Sequence, residues 1–580
     1  MNYLQPIYTE SAQCQDCYKC LRRCDVKAIQ ILEGHARVMD SQCVYCGKCV
    51  KNCPAEAKKV RTDLERVKLL ISGGERVIVS LAPSFVSEFA GTKPQVLAAG
   101  LRRLGFYGVS ETSIGAEEVS ANIARYLKTA EPGIHISSAC PSVVELVKKY
   151  YPDFADCVTP VYSPALTHAK MLKKIYGEDT KIVFVGPCIA KKIEADRYPN
   201  LLSAALSFRE LHEWFARERI NLESGLCGDS FLENDGFIPE RANQGRLYPV
   251  DGGMIEGIKA GCGVTESGFM TFSGVGNIRA ALSEFEGLKL ARPLFLELLA
   301  CEGGCVNGPL VSREGGTVSK RLEIISELDA AEYTQREPEF DIYCQWQTEP
   351  VAQSSFSRED IFNALEKVGK YSPADELNCG GCGYETCRQF AQALLEGKAE
   401  PQMCLGYMRK LANKKVDALI RTMPGGVVMV DENMKVIECN KRFAQLLGRD
   451  VLNIFLSRPG MAGADIAKLL PAPELFRNVL ESGSETAEKD IKFNNSILHL
   501  CVFTIEPHRL VGGFLQDITA PAMHKEQIVN RAREVIAKNL QTVQQIAYLL
   551  GENAADSEVI LNSIVNTFTA QPLEKPDAQD

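Results

Sequence analysis

The residues of this chain with the most chemistry in them are cysteines, 22 in a length of 580. Cys14, Cys17, Cys20 and Cys24 follow the spacing C-x2-C-x2-C-x3-C, and Cys43, Cys46, Cys49 and Cys53 repeat it, with Pro54 after the last. Such tight spacing turns three sulfurs toward three corners of one 4Fe-4S cubane. A zinc ion needs only four sulfurs and leaves the doubling unexplained. Four more thiolates come from three distant places: Cys140 in Ser137-Ser138-Ala139-Cys140-Pro141, Cys188 in Gly186-Pro187-Cys188-Ile189-Ala190-Lys191-Lys192-Ile193-Glu194, and Cys301 with Cys305 in Glu297-Leu298-Leu299-Ala300-Cys301-Glu302-Gly303-Gly304-Cys305. Together they are enough for one further cubane. Taken singly, Cys140 and Cys188 read as small buried hydrophobes. The Cys-x-x-Gly-Cys pair, whose glycines let the backbone approach a cluster closely, argues the other way. A last group, Cys379, Cys382, Cys387 and Cys404, has the spacing C-x2-C-x4-C-x16-C, with Gly380 and Gly381 between its first members. Another 4Fe-4S cluster is expected there, with zinc as the alternative. Cys157, Cys227, Cys262, Cys344, Cys439 and Cys501 show no ligand-like grouping and read as structural.

Positioning these groups takes several domains, and at about 150 residues per domain the length suggests roughly four. Apolar residues make up 45% and charged residues 24%, ordinary values for a globular chain. No apolar run is long enough to span a bilayer, so no membrane partner is expected. With 65 basic against 74 acidic residues, a net charge of -9 and no Lys/Arg block, nucleic acid is not an expected partner either. Met1 to Glu10 lacks the basic start, apolar stretch and cleavage site of a signal peptide, which leads to the expectation of a cytoplasmic protein. Between about Val77 and Asp341, apolar runs such as Val77-Ile78-Val79 and Ile182-Val183-Phe184-Val185 read as buried strands, and Val143 to Tyr150 and Arg209 to Glu218 as helices. The cysteine motifs of this α/β segment fall at strand ends or loops, where functional groups usually sit.

The doubled N-terminal run resembles that of bacterial two-cluster ferredoxins, although Asp25 follows Cys24 where a proline is usual. The resemblance implies that Cys14, Cys17, Cys20 and Cys53 hold one cubane and Cys43, Cys46, Cys49 and Cys24 its neighbour. The three middle motifs resemble the active-site signatures of FeFe hydrogenases, TSCCP, MPCxxKxxE and ExMxCxxGC, in the same order. Leu81-Ala82-Pro83-Ser84, Tyr162-Ser163-Pro164 and Asp251-Gly252-Gly253-Met254 extend the likeness. It implies that Cys140, Cys188, Cys301 and Cys305 hold the cubane of an H-cluster. Cys305 would bridge to a diiron subsite carrying carbonyl, cyanide and dithiolate ligands, and Lys191 would hydrogen-bond a cyanide. Ala139 stands where catalytic members carry a proton-transfer cysteine, and alanine can neither donate nor accept a proton. Gly186 and Leu299 replace methionines, and Ala165 a glutamine. Glu118 falls near one carboxylate of the family's proton path, with a plain surface glutamate as the alternative reading. In its alanine this chain resembles the divergent, hydrogen-sensing members.

The fourth cysteine group resembles a small 4Fe-4S module of redox and corrinoid proteins. Met423 to Asp431, then Val436 to Phe443 and Leu446-Leu447-Gly448, read as strand, turn, strand and an Asn-x-x-Phe helix, and with the closing Val511 to Thr519, which ends in Asp517-Ile518-Thr519, they resemble a PAS sensor domain. No residue there identifies a PAS ligand, and His499 reads as structural rather than as a haem ligand. Val529, Ile536, Val543 and Leu550 recur every seven residues, with Leu540 and Ala547 between them. They make a short coiled-coil seam or a helix packed on the PAS domain. No kinase ATP-binding motif follows.

The sequence thus predicts a multidomain α/β and α+β chain: a two-cluster ferredoxin domain (1–72), an FeFe hydrogenase-like H-cluster domain (73–345), a small 4Fe-4S module (355–412), a PAS domain (413–520), an output helix (521–570) and a disordered tail (571–580). The expected cofactors are four 4Fe-4S clusters and the diiron subsite. Hydrogen, an electron donor or acceptor protein and a downstream phosphatase or kinase are the expected partners, with a homodimer as the assembly. The expected function is sensing of hydrogen or redox state with slow hydrogenase activity, Lys191 and Ala139 marking the catalytic positions. The alternative is an iron-sulfur relay or regulator without the diiron subsite. An electron-bifurcating enzyme is disfavoured, because the chain carries no flavin or nicotinamide fingerprint.

Overall fold

A computed structural model describes residues 5–222, 236–262, 268–312, 315–326, 337–352, 354–494 and 496–519. The expected output helix, the tail and Cys227 lie outside these residues, as does the side chain of Cys262. The chain divides into two compact units, Met1–Ala364 with Ala374–Glu400, and Leu365–Pro373 with Pro401–Asp580.

The first unit opens with β1 (Ile7–Thr9), α1 (Lys19–Arg22), β2 (Ile29–Leu32), β3 (His35–Val38), α2 (Lys48–Lys51) and β4 (Lys58–Val60). β1 pairs antiparallel with β4, closing the segment on itself, and β2 and β3 form a hairpin. Both short helices start at left-handed residues, Tyr18 (φ 52°) and Gly47 (φ 73°). Further left-handed residues fall at matching places in the two cysteine runs, Asp16 with Tyr45 and Lys27 with Glu56. Side chains other than glycine enter this region only at an energetic cost. Its recurrence at the same offsets from the cysteines marks two copies of one loop.

α3 (Leu64–Ser72) leads into the α/β core: β5 (Val77–Leu81), α4 (Phe85–Glu88), α5 (Pro94–Arg103), β6 (Gly108–Glu111), α6 (Thr112–Lys128), β7 (Gly133–Ile136), α7 (Pro141–Tyr150), α8 (Pro164–Tyr176), β8 (Lys181–Gly186), α9 (Ala190–Arg197), β9 (Ala204–Ser207), α10 (Phe208–Arg217), α11 (Gly253–Cys262), β10 (Phe269–Ser273), α12 (Val275–Phe285), β11 (Pro293–Leu299) and α13 (Thr317–Ser326). α14 (Arg358–Glu366) and α15 (Cys387–Leu395) follow. Four strands pair in the order β6-β5-β8-β9 and three in the order β10-β11-β7, all parallel. Every residue of β5 is buried. Parallel strands covered by helices on both faces carry continuous apolar runs rather than alternation, and the apolar stretches of the sequence fall on these strands. A buried ionic seam ties the N-terminal segment to this core. Arg61 donates to Asp63 (3.0 Å) and Asp196 (2.8 Å), and Lys192, 1% exposed, donates to Glu210 (3.0 Å) and to the Ala205 carbonyl (2.7 Å).

The second unit contains α16 (Leu405–Thr422), β12 (Gly426–Asp431), β13 (Val436–Cys439), α17 (Lys441–Leu446), α18 (Arg449–Ser457), α19 (Ile466–Leu469), α20 (Glu474–Ser482), β14 (Thr486–Phe493), β15 (Ser496–Glu506) and β16 (Leu510–Asp517). Its antiparallel sheet runs β13-β12-β16-β15-β14. Asn440 locks the start of α17. Its Oδ1 accepts from the Phe443 and Val427 amides (2.8 and 2.9 Å), and its Nδ2 donates to the Ile420 and Gly425 carbonyls (2.9 Å each). His499 Nδ1 lies 2.6 Å from Asp490 Oδ1 across β14 and β15, a hydrogen bond of the sheet.

Candidate metal centre

Parallel strands deliver their C-terminal ends to one edge, and functional groups collect there in open α/β sheets. Cys140 follows β7 and caps α7, Cys188 lies between β8 and α9, and Cys301 follows β11. Two left-handed glycines, Gly303 (φ 77°) and Gly304 (φ 95°), turn the chain back so that Cys305 faces the same space. A Cβ on Gly304 would stand 2.2 Å from the Pro249 carbonyl oxygen, so no other residue fits. These four cysteines line one cavity together with Ala139, Lys191, Ser84, Thr112 and Phe184.

Burial pushes all four thiols above the ordinary cysteine value, Cys188 to about 11. Neighbouring sulfurs push Cys188, Cys301 and Cys305 further in the same direction. Thiols placed this way become thiolates when a cation replaces their protons. Four soft donors suit an iron-sulfur cluster or zinc. Four such donors on the wall of one cavity match the ligand count of a 4Fe-4S cubane. The residues present therefore fit a cluster.

Lys191 is 7% exposed. Its ammonium donates to Ser163 Oγ at 2.9 Å, forms a close ion pair with Glu194, and lies 5.9 Å from the centroid of the Phe184 ring. It is a fixed positive charge at the cavity wall. The Ser84 hydroxyl is buried on the same wall with no hydrogen-bond partner among the described residues. Such a donor is costly unless a bound group accepts from it. The expected changes in the outer shell have a packing counterpart. A Cβ on Gly186 would approach Ala82 Cβ to 2.6 Å and Phe184 Cζ to 2.7 Å, so Phe184 fills the space a longer side chain at 186 would use. Glu297 accepts from the Met254 and Ile255 amides (3.4 Å each), and burial pushes its carboxyl up to about 8.

Glu118 is neither exposed nor part of the cavity wall. Its Oε1 accepts from Asn122 Nδ2 (2.9 Å) and from the Glu339 and Phe340 amides (2.9 and 2.8 Å). The surface reading is corrected: the carboxylate clamps a segment that returns to α6 from far along the chain.

Cys46 also lines the cavity, and its sulfur acts electrostatically on Cys301. The second N-terminal run therefore reaches the cavity wall, through Tyr45 and Cys46. In the first run, Cys14 Sγ lies 3.5 Å from Asp16 Oδ1, which lies 3.0 Å from His35 Nδ1; no sequence signal singles out His35. Cys379 is exposed, Cys382 half-buried and Cys387 buried at the start of α15, which a Thr386–Gln389 capping box fixes. Gly383 of this loop packs on Leu21, and Arg22 donates to the Gly381 carbonyl at 3.5 Å. Cys404 caps α16. Cys344, Cys439 and Cys501 are buried and Cys157 half-buried.

Residues 75–309 match the family described as iron-only hydrogenase large subunit, C-terminal domain; residues 375–405 match an Fe-S cluster family and residues 414–487 the PAS domain family. Iron hydrogenase 1 of Clostridium pasteurianum is 25% identical over 304 residues, covering 43% of this chain and 52% of that protein. The NADP-reducing hydrogenase subunit HndD of Solidesulfovibrio fructosivorans is 25% identical over 358 residues, covering 50% of this chain and 60% of that protein. The chain thus spans between half and three fifths of the length of these relatives. The solved FeFe hydrogenase of Chlamydomonas reinhardtii is 20% identical, with 50% of this chain and 100% of that one covered and a TM-score of 0.39. No helix among the described residues is long and apolar enough to cross a membrane. Residues 75–309 are accordingly a domain of the iron-only hydrogenase large-subunit family, carried in one chain with an Fe-S cluster segment and a PAS domain.

Proposed function

We propose that the chain is a sensory FeFe hydrogenase-like protein, which reads hydrogen or redox state at a cluster in the cavity and signals through its PAS domain. The observation that carries this reading is one cavity lined by Cys140, Cys188, Cys301, Cys305, Lys191 and Ala139. Cys140, Cys188, Cys301 and Cys305 would hold a cubane, with Cys305 toward a diiron subsite that, when bound, supplies heterolytic hydrogen cleavage. Lys191, held by Ser163 and Glu194, would present its ammonium to an anionic ligand of that subsite, and the unpartnered Ser84 hydroxyl would donate to another. Ala139 provides no proton carrier, so turnover would be slow; detection needs binding and a change of charge, not speed.

The N-terminal segment is read as a two-cluster ferredoxin-like domain (1–72) feeding the hydrogenase-like domain (73–345). Matched left-handed residues in its two loops and Cys46 at the cavity support an electron route. A fourth cubane would use Cys379, Cys382, Cys387 and Cys404 in a module over 355–412. A PAS domain over 413–520 would pass the signal through 521–570 to a phosphatase or kinase, in a cytoplasmic homodimer. A second reading, a redox regulator with the cubane alone, draws on Gly186, Leu299 and Ala165, which reshape the wall where the diiron group would sit.

Infrared spectra of anaerobically matured protein under argon and then hydrogen test the choice. Metal carbonyl and cyanide bands that move with hydrogen are expected. Their absence in protein holding all four cubanes would leave the regulator.

A further inference from the structure

Beside the cavity lies a buried polar chain that the cysteine motifs do not involve. Thr112 Oγ1, on the cavity wall, is 2.7 Å from Ser80 Oγ. Ser80 Oγ is 2.8 Å from His168 Nδ1, and His168 Nε2 is 2.9 Å from Ser110 Oγ. Ser80, Ser110 and His168 are 0% exposed and Thr112 4%. The residues come from β5, β6, α6 and α8, and Pro164 and Ala165 in the first turn of α8 also line the cavity. An imidazole whose two nitrogens both face hydroxyls can be held in either protonation state, because a hydroxyl donates to a bare nitrogen and accepts from an N–H.

We propose that His168 is the proton acceptor coupled to reduction of the cluster in this cavity, reached through Thr112 and Ser80 in place of the cysteine that Ala139 replaces. The inference rests on the cluster reading above. When a low-potential one-electron carrier reduces the cluster, negative charge accumulates between largely apolar walls, where it is poorly solvated. A hydronium proton that reaches the cavity from bulk solvent joins Thr112 Oγ1 and leaves water behind, the proton of Thr112 passes to Ser80 Oγ, and that of Ser80 passes to His168 Nδ1. Two O–H bonds and one N–H bond form as three O–H bonds break. The resulting imidazolium donates to both serines and offsets the added electron.

The packed elements bring three carboxylates, each engaged elsewhere. Glu111, next to Ser110, accepts from the Ala242 amide (2.9 Å) and pairs with Arg241 and Arg246. Glu117 accepts from the Asn243 and Gly245 amides (2.5 and 3.2 Å), and Glu118 is the clamp described above. On α8 itself, Lys170 reaches the Asp341 carbonyl and Lys173 the Glu178 carbonyl.

The test is an equilibrium redox titration of the full-length, cluster-loaded chain between about pH 6 and pH 8. It follows the cubane EPR signal that Cys188→Ser removes. In the native chain the potential should fall by about 59 mV per pH unit, the one-electron equivalent of a tenfold change in proton activity. In His168→Gln, which keeps hydrogen bonds to the serines but takes up no proton, the slope should vanish while the signal persists. An unchanged slope in His168→Gln, or a flat one in the native chain, overturns the proposal. Absence of any Cys188-dependent signal overturns the cluster reading, and the inference with it. Reduced-minus-oxidised infrared spectra of native protein with 15N-labelled histidine give a second reading that needs no variant: imidazolium bands must appear on reduction, and their absence overturns the proposal.

Discussion

Between Cys14 and Cys53 the cysteines sit in loops or on the short helices α1 and α2 that follow them, and local left-handed residues at Asp16, Tyr18, Tyr45 and Gly47 set their shape. The four cysteines of the cavity are placed instead by three strand ends far apart in sequence, on a core of buried, largely apolar parallel strands. The first arrangement buries Ile7, Leu21, Ile29 and Ile31 beneath loops crowded with sulfurs. The second rests on the large apolar clusters of the α/β core. The shape of the first should therefore depend more on a bound cluster than that of the second.

Iron removal should separate the two most sharply. With a chelator under reducing conditions, amide exchange between Cys14 and Cys53 should rise by about a hundredfold or more while β5 and β8 keep their protection. Equal loss in both regions would break the contrast. Lys191→Ala should destabilise the cavity by about 3 to 5 kcal/mol, because it leaves the Glu194 carboxylate buried and unpaired; denaturant unfolding of metal-free protein measures it. In matured protein Ala139→Cys should raise hydrogen turnover about a hundredfold by restoring an acid-base group, and no gain would count against the role assigned to position 139. Gly186→Met should cost about 1 to 3 kcal/mol by overpacking against Phe184 and Ala82. Phe184→Ala in the same chain should recover part of it, a coupling that unfolding of the two single variants and the double variant would read.

A pH-dependent effect concerns Glu297. Its folded carboxyl titrates at about 8 against an ordinary value of 4.5, so the folded state binds the extra proton between them. Its favourable contribution is complete below about pH 4.5 and is lost as pH rises through 8, with a slope of at most about 1.4 kcal/mol per pH unit. Glu297→Gln should flatten that part of the stability profile.

Cysteine spacing is local information, so the candidate ligands and the strand ends that carry them could be read from the sequence. Continuous apolar runs foretold the parallel strands for the same reason. What could not be read depends on distant segments meeting. Ala82 crowds Gly186 only because β8 and β5 lie side by side, whereas Phe184, two residues along the same strand, shares its face by alternation. Glu118 is buried because residues 339 and 340 come back over α6, and the Thr112–Ser80–His168–Ser110 chain draws on four elements with no common pattern. The heptads after Val529 fall outside the described residues.

Lys191 and Lys192 are neighbours on one turn of α9, yet one faces the cavity and the other ends in the seam with Asp63 and Glu210. That seam is made of protein groups alone and needs no metal to close. The N-terminal segment is therefore fastened to the α/β core by charged groups of the protein itself. A single dipeptide serves two ends, one ammonium turned to the cavity and the other closing the join between two parts of the chain.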